Sequence, residues 1–324
     1  MPAQFTSLRI LLTAFCIGLP MTSLAQTTWP DHPIRFVVHS AAGGNVDLLA
    51  RILADRLAQQ LPQRVLIENI GGAGGALGAR AVAKAEPDGY TFLFAGPGHA
   101  SVPFVQKQPP YDPVQDFSPV SLVAQFPLAI IINRDLPAKD LEEFITLIKQ
   151  NPNKYAFGHG GTGGSSHIPI EALMYQAGIK MIPVPFRGNA PASAALLGGQ
   201  IHLIIDGLTA QVENIESGRV RAIAVTTKER TAFLPDVPTV SETLPGYKFP
   251  MRVALFAPAK TPKHIVDKLS EQVSAAMKDP ATRARYQAIK VDPVGSTPEE
   301  LDSYFRRQLE FNDDIIRKAN IKEQ

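Results

Sequence analysis

The chain has 324 residues, 45% of them hydrophobic, and its 32 Lys and Arg side chains nearly balance 30 Asp and Glu. The net charge of +2 shows no bias towards nucleic acid or an acidic surface, and the apolar content excludes a disordered chain. The single cysteine excludes a disulfide framework within the chain, so stability has to come from a hydrophobic core.

Residues 1–25 have the pattern of a cleaved export signal. The cation Arg9 precedes the apolar run 10–19, and the stretch ends in the small-x-small sequence Ser23-Leu24-Ala25, which are the features that signal peptidase recognises. A membrane anchor is the alternative, but the run has only about half of the ~20 apolar residues that a spanning helix needs. We therefore predict cleavage after Ala25, which removes the sole cysteine, Cys16, and with it every thiol nucleophile or thiol metal ligand.

After the signal, short β-rich runs alternate with helical patterns, which is typical of α/β sheets. The first run, residues 34–38, leads through Gly43-Gly44 into a segment whose leucines and isoleucines recur at helical spacing, which predicts a helix over 46–60. The pattern continues with predicted strands over 65–68 and 90–95, and with a helix of small residues over 76–85 between them.

A second unit of the same kind follows later in the chain. A strand at 155–157 leads into the glycine-rich run 158–166, and a helix is predicted over 168–176. The shared order of strand, glycine-rich loop and helix suggests two α/β lobes that each present a helix N-terminus. The remaining expectations are crossings between the lobes within 121–133 and 245–257, strands over 201–205 and 252–256, and tail helices over 263–278 and 298–319.

The two glycine-rich loops are the most informative candidates for a binding site. Helix N-termini leave main-chain N–H groups unpaired and carry partial positive charge, so they bind anions without a cationic side chain. Glycine also lets the backbone come close to a ligand. The alternative is that both loops are flexible turns with ordinary helix caps. Asp47, in the first helical turn, is explained equally well as a cap or as a ligand contact.

A further glycine-rich run, residues 71–78, follows a strand and opens a helix, as a dinucleotide-binding loop does. The next strand, however, ends in Gly96-Pro97-Gly98 rather than in the acidic residue that holds a ribose. We therefore expect no cofactor here and interpret the run as a loop that packs close to the neighbouring lobe.

Patterns for catalysis or metal binding are scarce. The sequence has no G-x-S-x-G elbow, HExxH helix or phosphate-loop lysine motif. His159 and His167 lie in one loop and could bind a metal, but loop histidines more often form hydrogen bonds, so we predict no metal site. Asp206, at the end of an apolar strand, is expected near the lobe interface. Arg187 is either a polar contact of a ligand or a solvated surface charge.

Taken in order, these stretches resemble a known family, the substrate-binding receptors of tripartite tricarboxylate transporters, also called the TctC or Bug family. The similar segments run from Trp29 to near Ile321, and their order and spacing make the resemblance specific although each is weak alone. They include residues 41–47, 74–79, 87–91, 163–167, 197–200, 234–239 and 257–262.

The resemblance implies an α/β, two-lobed periplasmic-binding-protein fold of the Venus flytrap, type II-like kind, with two crossover strands. Lobe 1 is expected to comprise residues 26–124 plus 249–324, and lobe 2 residues 125–248, with a hinge near 121–126 and 247–254. It further implies a monomeric periplasmic receptor without catalytic activity, cofactor or nucleic acid partner. Such a receptor captures a small carboxylate and delivers it to the permease subunits of a membrane transporter.

In this family a ligand carboxylate is typically held by main-chain groups and ordered water of the two glycine-rich loops, which agrees with their interpretation as anion-binding loops. Carried over by position, the ligand-binding residues form four groups. They are Ala42, Gly43, Gly44 and Asp47 in the first loop; His99 and Ser101 lining the cleft; Thr162, Gly163, Gly164, Ser165, Ser166 and His167 in the opposing loop; and Gly188, Asn189, Ala190 and Asp206 at the far end of the ligand.

Some positions depart from the family pattern and leave the ligand open. His39 stands where proline is common, and Ile168-Pro169-Ile170 is bulkier than the residues often found there. An unpaired Asp206 would repel a second carboxylate and favour an amine or a hydroxyl. Two alternatives to transport remain: an exported hydrolase or isomerase with His167 or His99 as base, and a receptor that reports to a membrane sensor.

Overall fold

The structure, a computed structural model, describes residues 29–249 and 251–321. The predicted signal peptide lies outside these residues. Within the described ranges, no helix is both long enough and apolar enough to cross a membrane.

The described residues form eleven strands, ten α-helices and three short 3₁₀ helices. In chain order the strands are β1 Ile34–Val38, β2 Val65–Asn69, β3 Thr91–Ala95, β4 Phe117–Phe126, β5 Leu128–Asn133, β6 Ala156–His159, β7 Ile182–Pro185, β8 Leu203–Gly207, β9 Val220–Val225, β10 Met251–Pro258 and β11 Asp292–Pro293. The helices are α1 Asn45–Gln60, α2 Ala76–Ala83, α3 Leu141–Gln150, α4 His167–Ala177, α5 Asn189–Leu197, α6 Leu208–Glu216, α7 Val240–Thr243, α8 Lys263–Lys278, α9 Pro280–Ala288 and α10 Pro298–Lys318.

The first sheet has six strands in the order β11-β4-β10-β3-β1-β2. β1 pairs in parallel with β2 and β3, and β10 pairs antiparallel with β3 and β4. Phe36, Phe92 and Phe94 on one face pack against α1 and α8, and Val37 and Leu93 on the other face pack against α2 and α10. Both faces are therefore covered, which explains why the central strands read as continuous apolar runs.

The second sheet has five strands in the order β7-β6-β8-β5-β9. β6 is parallel to β7 and β8, whereas β5 is antiparallel to β8 and β9. Every residue of β5 is buried, as expected for a central strand. β7 contains Pro183 and Pro185 and lies at an edge of the sheet, where the missing N–H groups cost no ladder hydrogen bond.

The chain passes between the two sheets at adjacent points. β4 ends at Phe126 in the first sheet and β5 begins at Leu128 in the second, so a single proline, Pro127, separates them. On the return, Met251 at the start of β10 pairs with Phe126. Both passages therefore lie side by side, within the two segments that were expected to cross.

The predicted elements of the first unit and of the tail are confirmed within one or two residues, including α1, α8 and α10. The strand expected over 201–205 instead spans Leu203–Gly207, because Ile201 is buried before the ladder with β5 begins. Sequence reasoning did not identify α3, α5, α6, α7, α9 or β7, each of which has ten residues or fewer.

Candidate functional site

The topology of each sheet creates one crevice at the carboxyl ends of its parallel strands. In the first sheet the chain runs from β1 to β2 on one side and returns to β3 on the other. In the second sheet β6 leads to β7 on one side and to β8 on the other. Ligands of open α/β sheets bind at such switch points, because the loops that follow the two strands diverge there.

Five helices begin directly after these strands, and none of them has a side-chain cap among the described residues. Their N-cap residues are Gly44 for α1, Gly75 for α2, Ser166 for α4, Gly188 for α5 and Gly207 for α6. The first-turn amides of a helix have no acceptor within the helix, so without a cap they stay available to an anionic ligand or to water.

The first loop, residues 40–44, is held in shape by the side chain of Asp47. The Asp47 carboxylate is buried and accepts hydrogen bonds from Gly43 N at 2.9 Å, Arg51 Nε at 3.0 Å and Asn69 Nδ2 at 3.0 Å. Burial acts to raise the pKa of Asp47, but these hydrogen bonds outweigh it and leave the pKa below its ordinary value. Asp47 therefore acts as a brace for the loop, the structural one of the two roles expected for it, and its contact with a ligand stays a prediction. Ala42 and Gly43 are exposed at the loop surface.

The second loop, residues 160–166, is held by its own hydrogen bonds. Gly160 N donates to Ser166 Oγ at 2.9 Å, Gly163 N donates to His167 Nδ1 at 3.2 Å, and Gly164 N donates to Gly161 O. Ser166 Oγ in turn donates to Asn189 Oδ1 at 2.9 Å. The Ser166 hydroxyl is thus engaged within the protein. Thr162 and Ser165 are half-buried.

Asp206 is buried and paired, so the condition under which it repels a second carboxylate is not met. Asn189 Nδ2, Gly207 N and Gln211 Nε2 donate to its carboxylate at 2.8, 2.8 and 2.9 Å. Burial raises the pKa of Asp206, and the three hydrogen bonds oppose that effect. Asp206 therefore orients Asn189. Gly188, Asn189 and Ala190 lie at the start of α5 and are partly exposed.

The side chain of His99 lies in the core of the first lobe and not at the loops. Its ring stacks on Tyr111 at 5.1 Å and on Phe305 at 5.2 Å between centroids, and the rings of Phe117 and Phe256 close the remaining sides. Burial holds the pKa of His99 well below its ordinary value. The four aromatic rings leave this side chain no path to a ligand, so the segment around His99 can line the cleft only through its main chain.

The loops from the two sheets touch. An added Cβ on Gly74 would lie 2.6 Å from Thr162 O and 3.2 Å from Gly164 N, distances that only glycine tolerates, and Gly74 also has a positive φ of 69°. Beside it, Ser101 Oγ donates to Gly163 O at 2.5 Å. The interpretation of residues 71–78 as a loop that packs against the neighbouring lobe is confirmed.

A small cavity of ≈ 20 Å³ lies beside this contact. Ser101, Gly164, Ser165, Ile168 and Asn312 contribute to its wall. The volume suits about one water molecule. In this arrangement of the two sheets the cavity has no room for an organic ligand of several carbon atoms.

The two loop histidines form a pair. The rings of His159 and His167 are 4.3 Å apart, and His167 Nε2 lies 3.5 Å from Glu171 Oε1. Burial, with the neighbouring His167, lowers the pKa of His159 to about 4. Across residues 29–249 and 251–321, no group of three or more His, Cys, Asp or Glu is arranged to hold a metal ion.

Sequence reasoning missed several residues that build the site. His39 Nε2 accepts a hydrogen bond from Gly96 N at 2.6 Å and so ties the loop after β1 to the loop after β3. Asn45 Nδ2 lies 2.5 Å from where a Cβ of Gly207 would be, which brings α1 against the second sheet. Gln211 is the third donor to Asp206. His39 had a signal in its departure from the family's usual proline, and Asn45 had one as a polar residue of the family segment 41–47.

Comparisons with known proteins agree on one family. The family described as "Tripartite tricarboxylate transporter family receptor" (TctC) matches residues 49–321. A relative from Agrobacterium vitis, the UPF0065 protein in the TAR-I ttuE-ttuC' intergenic region, is 39% identical over 314 residues, which cover 96% of this chain and 90% of the relative.

Solved structures give the same result. R. palustris Rpa4515 with adipate superimposes with a TM-score of 0.87 at 32% identity, covering 91% of this chain and 100% of that chain. MatC (Rpa3494) from Rhodopseudomonas palustris with bound malate has a TM-score of 0.84 at 32% identity, covering 89% and 100%. These similarities confirm the resemblance and the two-lobed α/β fold that it implied.

Proposed function

Because this chain belongs to the tripartite tricarboxylate transporter receptor family, we propose that it captures a small carboxylate between its two lobes and delivers it to the permease subunits of a membrane transporter. Two structural neighbours were solved with adipate and with malate. Both ligands are short dicarboxylates, which makes this chemical class the first to test.

One observation carries the proposal: the N-termini of α1, α2, α4, α5 and α6 all begin at the facing carboxyl ends of the two sheets without a side-chain cap. Uncapped N-termini favour a carboxylate through their amides and their dipoles. In this proposal Ala42, Gly43 and Gly44 contact the ligand from lobe 1. Thr162 to Ser166 contact it from lobe 2, mostly through main-chain groups.

The division into lobes is part of the proposal. Lobe 1 comprises residues 26–124 and 249–324, and lobe 2 residues 125–248, with closure about the paired passages near Phe126 and Met251. The side-by-side position of those passages supports a single hinge axis. Ligand-induced closure then follows from contacts that a ligand makes with both lobes only in the closed form.

We further propose that the chain is a binding protein and not an enzyme. The family and its structural neighbours are solute-binding proteins. Of the two histidines considered as bases, His99 lies among four aromatic rings, and His167 accepts a hydrogen bond from Gly163 N and lies beside Glu171. Neither position suits proton abstraction from a ligand in the cleft.

The cellular setting is proposed from the sequence and the family together. Cleavage after Ala25 releases a monomer into the periplasm, where it meets its permease. A receptor that reports to a membrane sensor remains the alternative. Pull-down of detergent-solubilised permease subunits by the ligand-loaded protein, but not by the ligand-free protein, distinguishes transport from sensing.

The central test is isothermal titration calorimetry of the chain without residues 1–25 against a panel of carboxylates. The panel contains adipate, malate, succinate and acetate, each paired with its neutral amide. We expect at least one carboxylate to bind with micromolar affinity or better and its amide to bind far more weakly, because the helix N-termini favour the charge. Equal binding of acid and amide, or turnover of a panel member, contradicts the proposal.

A further inference from the structure

Two side-chain hydrogen bonds run between the lobes in opposite directions. Ser101, which follows β3 in lobe 1, donates from Oγ to the carbonyl oxygen of Gly163 in lobe 2 at 2.5 Å. Thr209, in α6 of lobe 2, donates from Oγ1 to the carbonyl oxygen of Ile289 at the end of α9 in lobe 1, also at 2.5 Å. We propose that these hydroxyl groups form a reciprocal latch that stabilises the closed form. The inference rests on the proposed function for its biological meaning but not for its test.

Both ends of the first hydrogen bond are held rigidly. Gly163 N donates to His167 Nδ1, and an added Cβ on Gly163 would lie 2.6 Å from Val105 Cγ2, so the residue is confined by its own lobe and by the opposite one. Ser101 is 2% exposed and follows the loop that the buried His99 anchors. Neither group can follow the other when the lobes part, so opening breaks this bond.

The second hydrogen bond lies at a different part of the interface. Ile289 caps the C-terminus of α9, which packs against α1 in lobe 1. Next to it the Lys290 ammonium lies 5.3 Å from the centre of the Phe233 ring of lobe 2. Thr209 lies in the first turn of α6, and its hydrogen bond joins α6 to the end of α9 without involving a residue of either glycine-rich loop.

Between the latch points the two lobes also meet through close packing. Where Gly74 meets Thr162 and Gly164, main chain faces main chain, and the fit requires only that no side chain intrude. A hydroxyl donor that satisfies a buried carbonyl oxygen favours the closed form, because opening has to replace that bond with water. Ser101 and Thr209 are therefore positioning residues for closure.

Removal of one hydroxyl is expected to lower the ratio of closed to open molecules about 3- to 10-fold. The two sites share no partner, so the effects of Ser101→Ala and Thr209→Val should multiply in the double variant. Thr209→Val keeps the side-chain shape and removes only the hydrogen bond.

The test is the distance between spin labels in the chain without residues 1–25, which contains no native cysteine because Cys16 lies in the removed segment. Labels at the exposed positions Lys84→Cys in lobe 1 and Gln200→Cys in lobe 2 report lobe separation by double electron–electron resonance. The measurement is made without ligand on five proteins: the parent, both single variants, the double variant and a control. The control is Ser217→Ala, which removes a hydroxyl that donates to Glu213 O within one helix.

We expect the short-distance population to fall in each latch variant, to fall further in the double variant and to stay unchanged in Ser217→Ala. Gly74→Ala serves as the reference for an open molecule, because its Cβ cannot approach Thr162 O. Unchanged distances in both latch variants, or a ligand-free parent without a short-distance population, overturn the latch. Addition of adipate distinguishes the two proposals. If the latch variants shift the distances and adipate does not, the result supports the latch and counts against adipate as the ligand.

Discussion

The helices that begin at the cleft differ at their N-termini from most of those that begin elsewhere. At the cleft, four N-cap residues are glycines, and the fifth, Ser166, directs its hydroxyl to Asn189 instead of to its own helix. Away from the cleft, Asp140 caps α3, Asp279 caps α9, and Thr297 forms a capping box on α10. The uncapped α8, which follows Pro262, is the exception among the helices described away from the cleft.

The difference suggests that capped helix N-termini stabilise the fold, whereas the uncapped N-termini at the cleft are left available for binding. A side-chain cap satisfies one or two first-turn amides and is worth about 1 kcal/mol of stability. A glycine cap gives up only a few tenths of a kcal/mol of that gain and leaves the same amides exposed to a ligand. Three substitutions test whether the helices at the cleft are uncapped because they bind a ligand, and a fourth prediction concerns the buried histidines beside the loops.

The largest effect is expected from a negative charge at the cleft. Ser165→Asp places a carboxylate beside the N-terminus of α4, where it would meet the ligand carboxylate. Two such charges about 4 Å apart repel by about 4 kcal/mol at an effective dielectric constant of about 20, so affinity should fall on the order of 1,000-fold. Calorimetry with the tightest carboxylate of the panel measures this.

Ser165→Asn is the matched control for that charge. It has the size of Asp without its charge and should retain most of the affinity. Thermal unfolding should show Ser165→Asp to be at least as stable as the parent, because a carboxylate is favoured near a helix N-terminus. Equal affinity of the two variants would show that the ligand carboxylate binds elsewhere.

The second effect concerns pH, because a buried histidine lies at the base of each glycine-rich loop. Burial lowers the pKa of His39 to about 4, and burial together with His167 does the same for His159. As the pH falls below the ordinary value of 6.5, the unfolded chain takes up these protons before the folded chain does. Stability is therefore complete above pH 6.5 and declines towards pH 4, by about 1.4 kcal/mol per pH unit for each histidine.

Urea unfolding between pH 8 and pH 4 measures that decline. His39→Gln retains an acceptor for Gly96 N but does not titrate, so its stability should depend less steeply on pH than that of the parent. The predicted reduction is about 3 kcal/mol in the loss between pH 6.5 and pH 4. Parallel curves for parent and variant would show that His39 is not the sensitive group.

A smaller effect is expected at a capped helix. Asp140→Ala removes the acceptor of Glu143 N at the start of α3. The free energy of unfolding should fall by about 1 kcal/mol. Carboxylate affinity should not change, because α3 follows β5, which is antiparallel to β8 and therefore ends on the side of the sheet away from the cleft. Altered affinity in this variant would contradict the separation between the two groups of helices.

The smallest effect is expected when a cap is added at the cleft. Gly44 has an extended backbone with φ −80° and ψ 169°, and the nearest atom to an added Cβ is Ala41 O at 3.4 Å, so serine fits. Gly44→Ser should stabilise the fold by a few tenths of a kcal/mol while weakening carboxylate binding, because its hydroxyl engages a first-turn amide. A gain in stability without weaker binding would show that the α1 amides do not contact the ligand.

The sequence predicted the loops better than the roles of the side chains around them. A glycine run between a strand and an amphipathic helix has a local meaning, so the loops at 40–44 and 158–166 could be located without a structure. Asp47, Asp206 and His99 could not be assigned in this way. Whether a carboxylate or an imidazole faces a ligand depends on partners such as Asn69, Gln211 and Phe305, which are distant along the chain or give no local signal.

By itself, the sequence determined the alternation of strands and helices, the two glycine-rich loops and the family, because these depend on periodicity and on motif order along the chain. Only the tertiary structure decided that Asp206 is paired, that His99 belongs to the core, and that Ser101 and Thr209 reach across to the opposite lobe. The physical reason is that hydrogen bonds and burial are set by atoms brought together in space, and sequence spacing does not specify which distant partner a polar side chain meets.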